Sequence, residues 1–175
     1  QSLIATKAAR VCYAARGDGI MEFGLRRAQG PDAGIYGARA AVIGGCAGTS
    51  NVLTGQMFNV PVLGTHAHSW IMSFPDEYTA FKTYAKMYPN SCTLLVDTYD
   101  VLKSGVPNAI RVFEEMREEG VKLTHYGIRI DSGDLAYLSK EAYKMLAAAG
   151  FDDATISASS DLDEYLIDSL KTQDA

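Results

Sequence analysis

The sequence predicts an α/β chain on a parallel sheet, an irregular TIM-like β/α barrel of which only part is present. Three observations lead there. Short apolar strands alternate with amphipathic helices along the whole chain. The later strands start on the order of 30 residues apart, each followed by a helix, which is the rhythm of right-handed crossovers. Polar, reactive residues then follow nearly every strand: Arg26, His68, Asp97 with Asp100, Arg129 with Asp131, and Ser159 with Ser160 and Asp161. Barrels build sites from the C-terminal ends of many strands, whereas a doubly wound sheet concentrates them at one switch point.

The elements follow in order. Leu3, Ile4, Ala8, Val11 and Cys12 form one stripe of a helix over residues 2–16. A short strand over 20–23 precedes a Gly/Ala-rich helix over 33–45 and a shorter helix over 51–58. The apolar run at 60–64 is expected to be the second strand, which places His68 just past a strand end. Asp76 caps a helix reaching Met87. Strands are expected at 92–97, 126–130 and 155–158, with helices at 107–119 and 134–149, the latter ended by Gly150. Asp161 is expected to cap the last helix.

The chain has 175 residues, enough for one domain with a real core. With 16 Lys+Arg against 21 Asp+Glu, its formal net charge is −5. Such a balance argues against a nucleic-acid or anionic-membrane binder, which needs a basic face. Three widely spaced cysteines, Cys12, Cys46 and Cys92, fit reduced thiols in a cytoplasmic protein and lack zinc-ligand spacing. No apolar run reaches the roughly 18 residues of a membrane span, and the N-terminus lacks a signal-peptide pattern. Residue 1 is Gln in mid-helix pattern and the last residues stop just after a helix, so a stretch of a longer chain is expected.

GTHAHSW, residues 64–70, is the most informative stretch. A histidine at a strand end can act as acid or base, ligate a metal or carry a phosphoryl group; it can equally be a hydrogen-bonded core residue. His66 and His68 are two apart, so on a strand they would share a face and could form a metal pair. His125 is the remaining imidazole, and it lies before its strand, which weakens that alternative.

RIDSGD, residues 129–134, joins a guanidinium to two carboxylates and a hydroxyl. Arg129 can grip a carboxylate or phosphate, and Asp131 can hold Mg²⁺ or pair with the Arg. Part of the motif is equally a helix cap. In EFGLRRAQG, residues 22–30, Phe23 can stack on a flat ring and Arg26 can bind an anion, while Arg27 reads as a solvated charge. DTYD, residues 97–100, puts two carboxylates after a buried strand, for Mg²⁺ or for capping. The hydroxyl-rich SASSDLDE, residues 157–164, leads into a helix start that can bind phosphate or simply be capped.

Taken together these segments resemble the nicotinate phosphoribosyltransferase family. The matching pieces are EFGLRRAQGPDAG, GTSNVLTGQ, VPVLGTHAHSW, LLVDTYDVLKSGVPNAI, GIRIDSGDL and SASSDLDE, in family order and over nearly the whole chain. The resemblance implies a type II phosphoribosyltransferase barrel, with residues 1–175 as part of its barrel domain. It implies ATP-coupled transfer of phosphoribosyl from phosphoribosyl pyrophosphate to nicotinate in NAD salvage, giving nicotinate mononucleotide and pyrophosphate. Mg²⁺ is implied, as is a cytoplasmic homodimer.

By that resemblance His68 is the phosphohistidine and, with Arg129 and Asp131, catalytic. Phe23 and Arg26 sit at the pyridine ring. Ser50, Thr65, Ser69, Asp97, Ser132, Gly133 and Ser159 bind substrate, and Asp97 and Asp131 are the Mg²⁺ candidates. The family's Gly-rich phosphate loop is not among these residues, so the isolated stretch is expected to be inactive. Two neighbouring families differ at the site. A nicotinamide-specific enzyme has an acidic residue in the Gly-Thr loop, where this chain has Ser50 and Asn51. A quinolinate enzyme lacks the ATP-linked histidine. Outside this class, a metal-dependent barrel hydrolase would use His66 and His68.

Overall fold

The computed structural model describes residues Gln1–Ala175. They form two compact units, Gln1–Gly64 with Leu162–Thr172, and Thr65–Asp161 with Gln173–Ala175.

In the first unit, α1 (Ser2–Ala14), α2 (Pro31–Ile43), α3 (Val52–Phe58) and α8 (Glu164–Thr172) surround two very short strands, β1 (Met21–Glu22) and β2 (Gly48–Thr49). The strands run parallel, with Met21 opposite Gly48 and Glu22 opposite Thr49. The core is small: Ala8, Ala41 and Cys46, flanked by Cys12 and Ile20. Helices α1 and α8 are joined by charge, Lys7 and Arg10 on Glu164 and Arg16 on Asp168.

The second unit holds a parallel three-stranded sheet of β3 (Cys92–Leu95), β4 (Tyr126–Ile130) and β5 (Thr155–Ala158), in that order. Arg129 sits opposite Leu95 on one side and Ser157 on the other. Crossover helices α6 (Val106–Glu118) and α7 (Leu135–Ala148) return the chain each time, while α4 (His68–Met72) and α5 (Glu77–Met87) precede β3. Leu94, Ile128 and Ile130 from the strands pack with Phe81, Phe113, Leu146 and Phe151. Such apolar strands, buried on both faces, are characteristic of parallel sheets. Phe113, Tyr126 and Phe151 meet edge-to-face, which adds directional contact to area burial.

Asp76 accepts from the Thr79 N–H at 2.7 Å, as its position predicts, whereas α7 is capped by Asp134, which accepts from the Tyr137 N–H at 3.0 Å, and not by Asp131 or Ser132, the capping alternatives in the RIDSGD motif. Gly150 takes φ +79° after α7, and the Phe151 N–H reaches back to the Leu146 carbonyl at 2.9 Å.

Three expectations are corrected. The second strand is Gly48–Thr49, not 60–64, which contributes only one bridge, from Val62 to Thr49. Pro61 accepts from the Thr49 N–H but has no N–H of its own to extend the ladder. His68 is therefore not at a strand end. It is the first residue of α4, after an extended Ala67 whose carbonyl accepts the Trp70 N–H at 3.0 Å. Finally, Asp163 rather than Asp161 caps α8, accepting from the Tyr165 and Leu166 N–H groups, while Asp161 adopts φ +48°.

No helix is long and apolar enough to cross a membrane.

Candidate functional site

Parallel pairing brings the C-terminal ends of β3, β4 and β5 to one edge of their sheet. Hydrogen bonding continues past the strands, from the Val96 N–H to the Arg129 carbonyl at 3.0 Å and from the Ser159 N–H to the Ile130 carbonyl at 2.9 Å. Asp97, Asp131 and Ser159 are thereby set side by side, and Thr65 and His68 join them.

Two linked groups result. In the first, Arg129 is a hub. Its Nε donates to Ser159 Oγ at 2.8 Å, Nη1 to Thr65 Oγ1 at 2.9 Å and Nη2 to Asp131 Oδ1 at 2.9 Å. The Ser159 hydroxyl in turn donates to Asp131 Oδ1, and that of Thr65 to the His66 carbonyl at 3.0 Å. Burial alone would push the Asp131 carboxyl up. The Ser159 hydroxyl and the Arg129 guanidinium overcome this and hold it below the usual carboxylate range.

In the second group Asp97, with a side chain only 1% exposed, is the organiser. Its Oδ1 pairs with His68 Nε2 at 3.0 Å. Its Oδ2 accepts from the Asp131 N–H at 3.0 Å and from the Ser132 hydroxyl at 2.5 Å. A neutral imidazole that donates to this carboxylate from Nε2 carries its lone pair on Nδ1. Gly133, at φ +82°, lets the chain turn between this cluster and α7. DTYD thus divides: Asp97 serves the cluster, and Asp100 caps the next turn through the Leu102 and Lys103 N–H groups.

His66 is a different kind of residue. It is buried against Phe81 and Tyr84, and its Nε2 accepts from the Leu95 N–H at 3.2 Å. Burial pulls its pKa down from 6.5 to about 4. That nitrogen is engaged by backbone, so His66 does not pair with His68 as a metal ligand, and no group of three or more His, Cys, Asp or Glu gathers for an ion. Asp97 is engaged through both oxygens, by His68 on Oδ1 and by the Asp131 N–H and the Ser132 hydroxyl on Oδ2.

The other expected residues make none of these hydrogen bonds. Ser69 is exposed on α4. Phe23, Arg26 and Ser50 belong to the first unit: Phe23 is half-buried after β1, Arg26 is exposed on a 3₁₀ turn (Leu25–Arg27), and Ser50 follows β2 with its N–H on the Glu22 carbonyl at 3.0 Å. Below them is a network missed in the sequence. The Thr49 hydroxyl donates to Glu22 Oε2 at 2.6 Å and accepts from the Asn51 N–H at 3.0 Å, and Asn51 caps α3 through Thr54. Asn51 at the start of a helical pattern was the available signal for the cap.

A parallel α/β scaffold gathers hydroxyl, guanidinium and carboxylate groups at its strand ends, with an imidazole from α4 beside them. Its family is shown by comparison. A sequence profile of the Nicotinate phosphoribosyltransferase (NAPRTase) family matches residues 19–159. A nicotinate phosphoribosyltransferase of Bacillus subtilis is 57% identical over 175 residues, all of this chain and 35% of that protein. One of Homo sapiens is 34% identical over 195 aligned positions, 85% of this chain and 36% of that protein. The crystal structure of human nicotinic acid phosphoribosyltransferase superposes with a TM-score of 0.82 at 32% identity, covering 97% of this chain and 44% of that one. The chain belongs to the nicotinate phosphoribosyltransferase family, and it spans about a third of the length of these curated relatives.

Proposed function

We propose that the full-length protein transfers phosphoribosyl from phosphoribosyl pyrophosphate to nicotinate, coupled to ATP through His68. Residues 1–175 supply part of its barrel domain, in a cytoplasmic homodimer. The observation that carries this reading is the His68–Asp97 pair at 3.0 Å, within a cluster linked to Arg129 and Asp131. In the transfer, the nicotinate ring nitrogen forms a bond to the ribose anomeric carbon. The bond from that carbon to the pyrophosphate oxygen breaks, and pyrophosphate leaves with the electron pair. Nicotinate needs no deprotonation, so the protein's task is to orient the partners and balance charge.

Asp97 holds the proton on Nε2, so the phosphoryl group goes to Nδ1. The N–P bond forms there as the bond from the γ-phosphorus to the ADP oxygen breaks. The acquired charge of about −2 is added to an imidazole already paired with Asp97, where it alters how the anionic substrate and product are held. Mg²⁺, when bound with the phosphates, supplies charge neutralisation. Arg129 keeps Thr65, Asp131 and Ser159 in place, while Arg26 and Phe23 serve the pyridine ring and its carboxylate. Ser50 and Asn51 put no charge beside that carboxylate, which favours nicotinate over nicotinamide.

The test is full-length enzyme assayed for nicotinate mononucleotide with and without ATP, with nicotinamide as competitor. His68→Ala is expected to abolish ATP stimulation and radiolabel transfer from γ-labelled ATP. Full ATP-coupled turnover in that variant would overturn the role given to His68.

A further inference from the structure

Glu77 is a buried carboxylate, 4% exposed, at the first position of α5. Its Oε2 accepts from Ser104 Oγ at 2.5 Å and from Asn108 Nδ2 at 3.1 Å, and its Oε1 is buried without a partner. A half-satisfied buried carboxylate is costly, and capping of α5 does not explain it, because Asp76 already provides that cap. The explanation lies in what it grips.

Ser104 belongs to a π-helical turn, Val101–Gly105, that runs into α6. Such turns are rare and cluster at functional sites. This one is pinned at its start by Asp100, whose carboxylate accepts from the Leu102 and Lys103 N–H groups and whose carbonyl accepts from the Ser104 and Gly105 N–H groups. At its end it is pressed onto the residue just after β3, where a Cβ on Gly105 would lie 1.9 Å from the Val96 carbonyl oxygen. Asp97 follows Val96 directly. The segment that carries Asp97 is therefore held between the strand and the turn, and Glu77 is the side chain that clamps the turn from the neighbouring helix.

We infer that Glu77 is a positioning residue: through Ser104 and Asn108 it fixes the π turn against Val96 and so aims Asp97 at His68. The inference deepens the proposed phosphoribosyl-transfer role of the Asp97–His68 pair and rests on it for its effect on turnover. Its structural content can be read without turnover. In full-length protein, ¹⁵N imidazole NMR reports which His68 nitrogen carries the proton. Glu77→Gln and Ser104→Ala are expected to fold cooperatively, to lose the fixed Nε2–H form of His68 and to displace the pH profile of turnover. A fall in kcat of about ten- to a hundredfold is expected, with KM for nicotinate little changed. Ser104→Thr, which keeps the hydroxyl, is expected to restore both signals. If Glu77→Gln fails to fold, Ser104→Ala decides alone, since it removes only one hydroxyl. Wild-type His68 tautomer and wild-type pH profile in a folded Ser104→Ala variant would overturn the inference. A wild-type protein that makes no nicotinate mononucleotide would overturn the reaction instead, and the imidazole signal would still decide the role of Glu77.

Discussion

The two units of the chain hold their expected site residues in different ways. In the unit built on β3, β4 and β5, a large apolar core supports a cluster in which Arg129, Asp131, Ser159 and Asp97 are each held by several partners and His68 is paired with Asp97. In the unit built on β1 and β2, the strands are two residues long, the core is Ala8, Ala41 and Cys46, and Arg26 is exposed. The difference teaches where preorganisation is stored. Charge-assisted bonds between fixed groups are strong because their geometry is set before any ligand arrives. An exposed arginine on a 3₁₀ turn keeps its rotamer freedom and must lose it on binding. Substitutions in the Arg129 cluster should therefore affect stability, and substitution of Arg26 affinity.

The largest effect is expected at Arg129, which balances Asp131 at 2.9 Å with side chains 14% and 21% exposed. Arg129→Met keeps much of the volume but leaves Asp131, Ser159 and Thr65 without their donor. Breaking a fully buried pair by removing one partner costs roughly 3–5 kcal/mol, and for this part-buried pair the lower end of that range is expected. Urea unfolding of the full-length protein should show a loss of that order. A change below about 1 kcal/mol would mean that the cluster behaves like a surface pair and that the contrast between the units is unfounded.

A smaller effect, confined to acid, is expected at His66. Its pKa falls from 6.5 to about 4 on folding, because burial disfavours the imidazolium. The unfolded chain therefore binds the proton first as pH drops. The stabilisation is complete above 6.5, declines as pH falls toward about 4, and is gone below it. Across that interval it amounts to roughly 3 kcal/mol. His66→Gln retains an acceptor for the Leu95 N–H but cannot titrate. The difference in unfolding free energy between wild type and this variant should narrow by about that amount from pH 7 to pH 4. A pH-independent difference would show that His66 is not held neutral by burial.

The contrast between the units also decides how much the sequence could tell. Strands β4 and β5 and the cap Asp76 were legible because a short β-branched stretch between helical patterns, or an Asp before a helical pattern, is a local signal. Strand β2 was not, because Gly48–Thr49 carries no apolar alternation and is defined by its partners Met21 and Val62. His68 was identified as reactive but misplaced onto a strand end, since Pro61 weakens a run that otherwise looks extended. The distinction between His66 and His68 was invisible in an H-A-H motif. It arises from the Leu95 N–H meeting one ring and Asp97 the other, contacts that depend on how distant segments pack. Glu77 gave no signal for the same reason, as its partners are Ser104 and Asn108 on a later turn and helix.

The smallest effect on stability, and the sharpest test of the contrast, is expected at Arg26. The side chain is exposed, so Arg26→Ala should change unfolding free energy by no more than about 0.5 kcal/mol. Its proposed work is a charge-assisted hydrogen bond to the nicotinate carboxylate, and losing one costs roughly 1.5–3 kcal/mol of binding. In the full-length enzyme KM for nicotinate should then rise about ten- to a hundredfold, while the response to ATP through His68 is retained. Nicotinamide, which lacks the carboxylate, should be handled no worse by the variant than by the wild type. An unchanged KM for nicotinate would remove Arg26 from the site. An unfolded variant would show instead that this exposed arginine is part of the scaffold, and that stability and recognition are not divided between the units as their packing indicates.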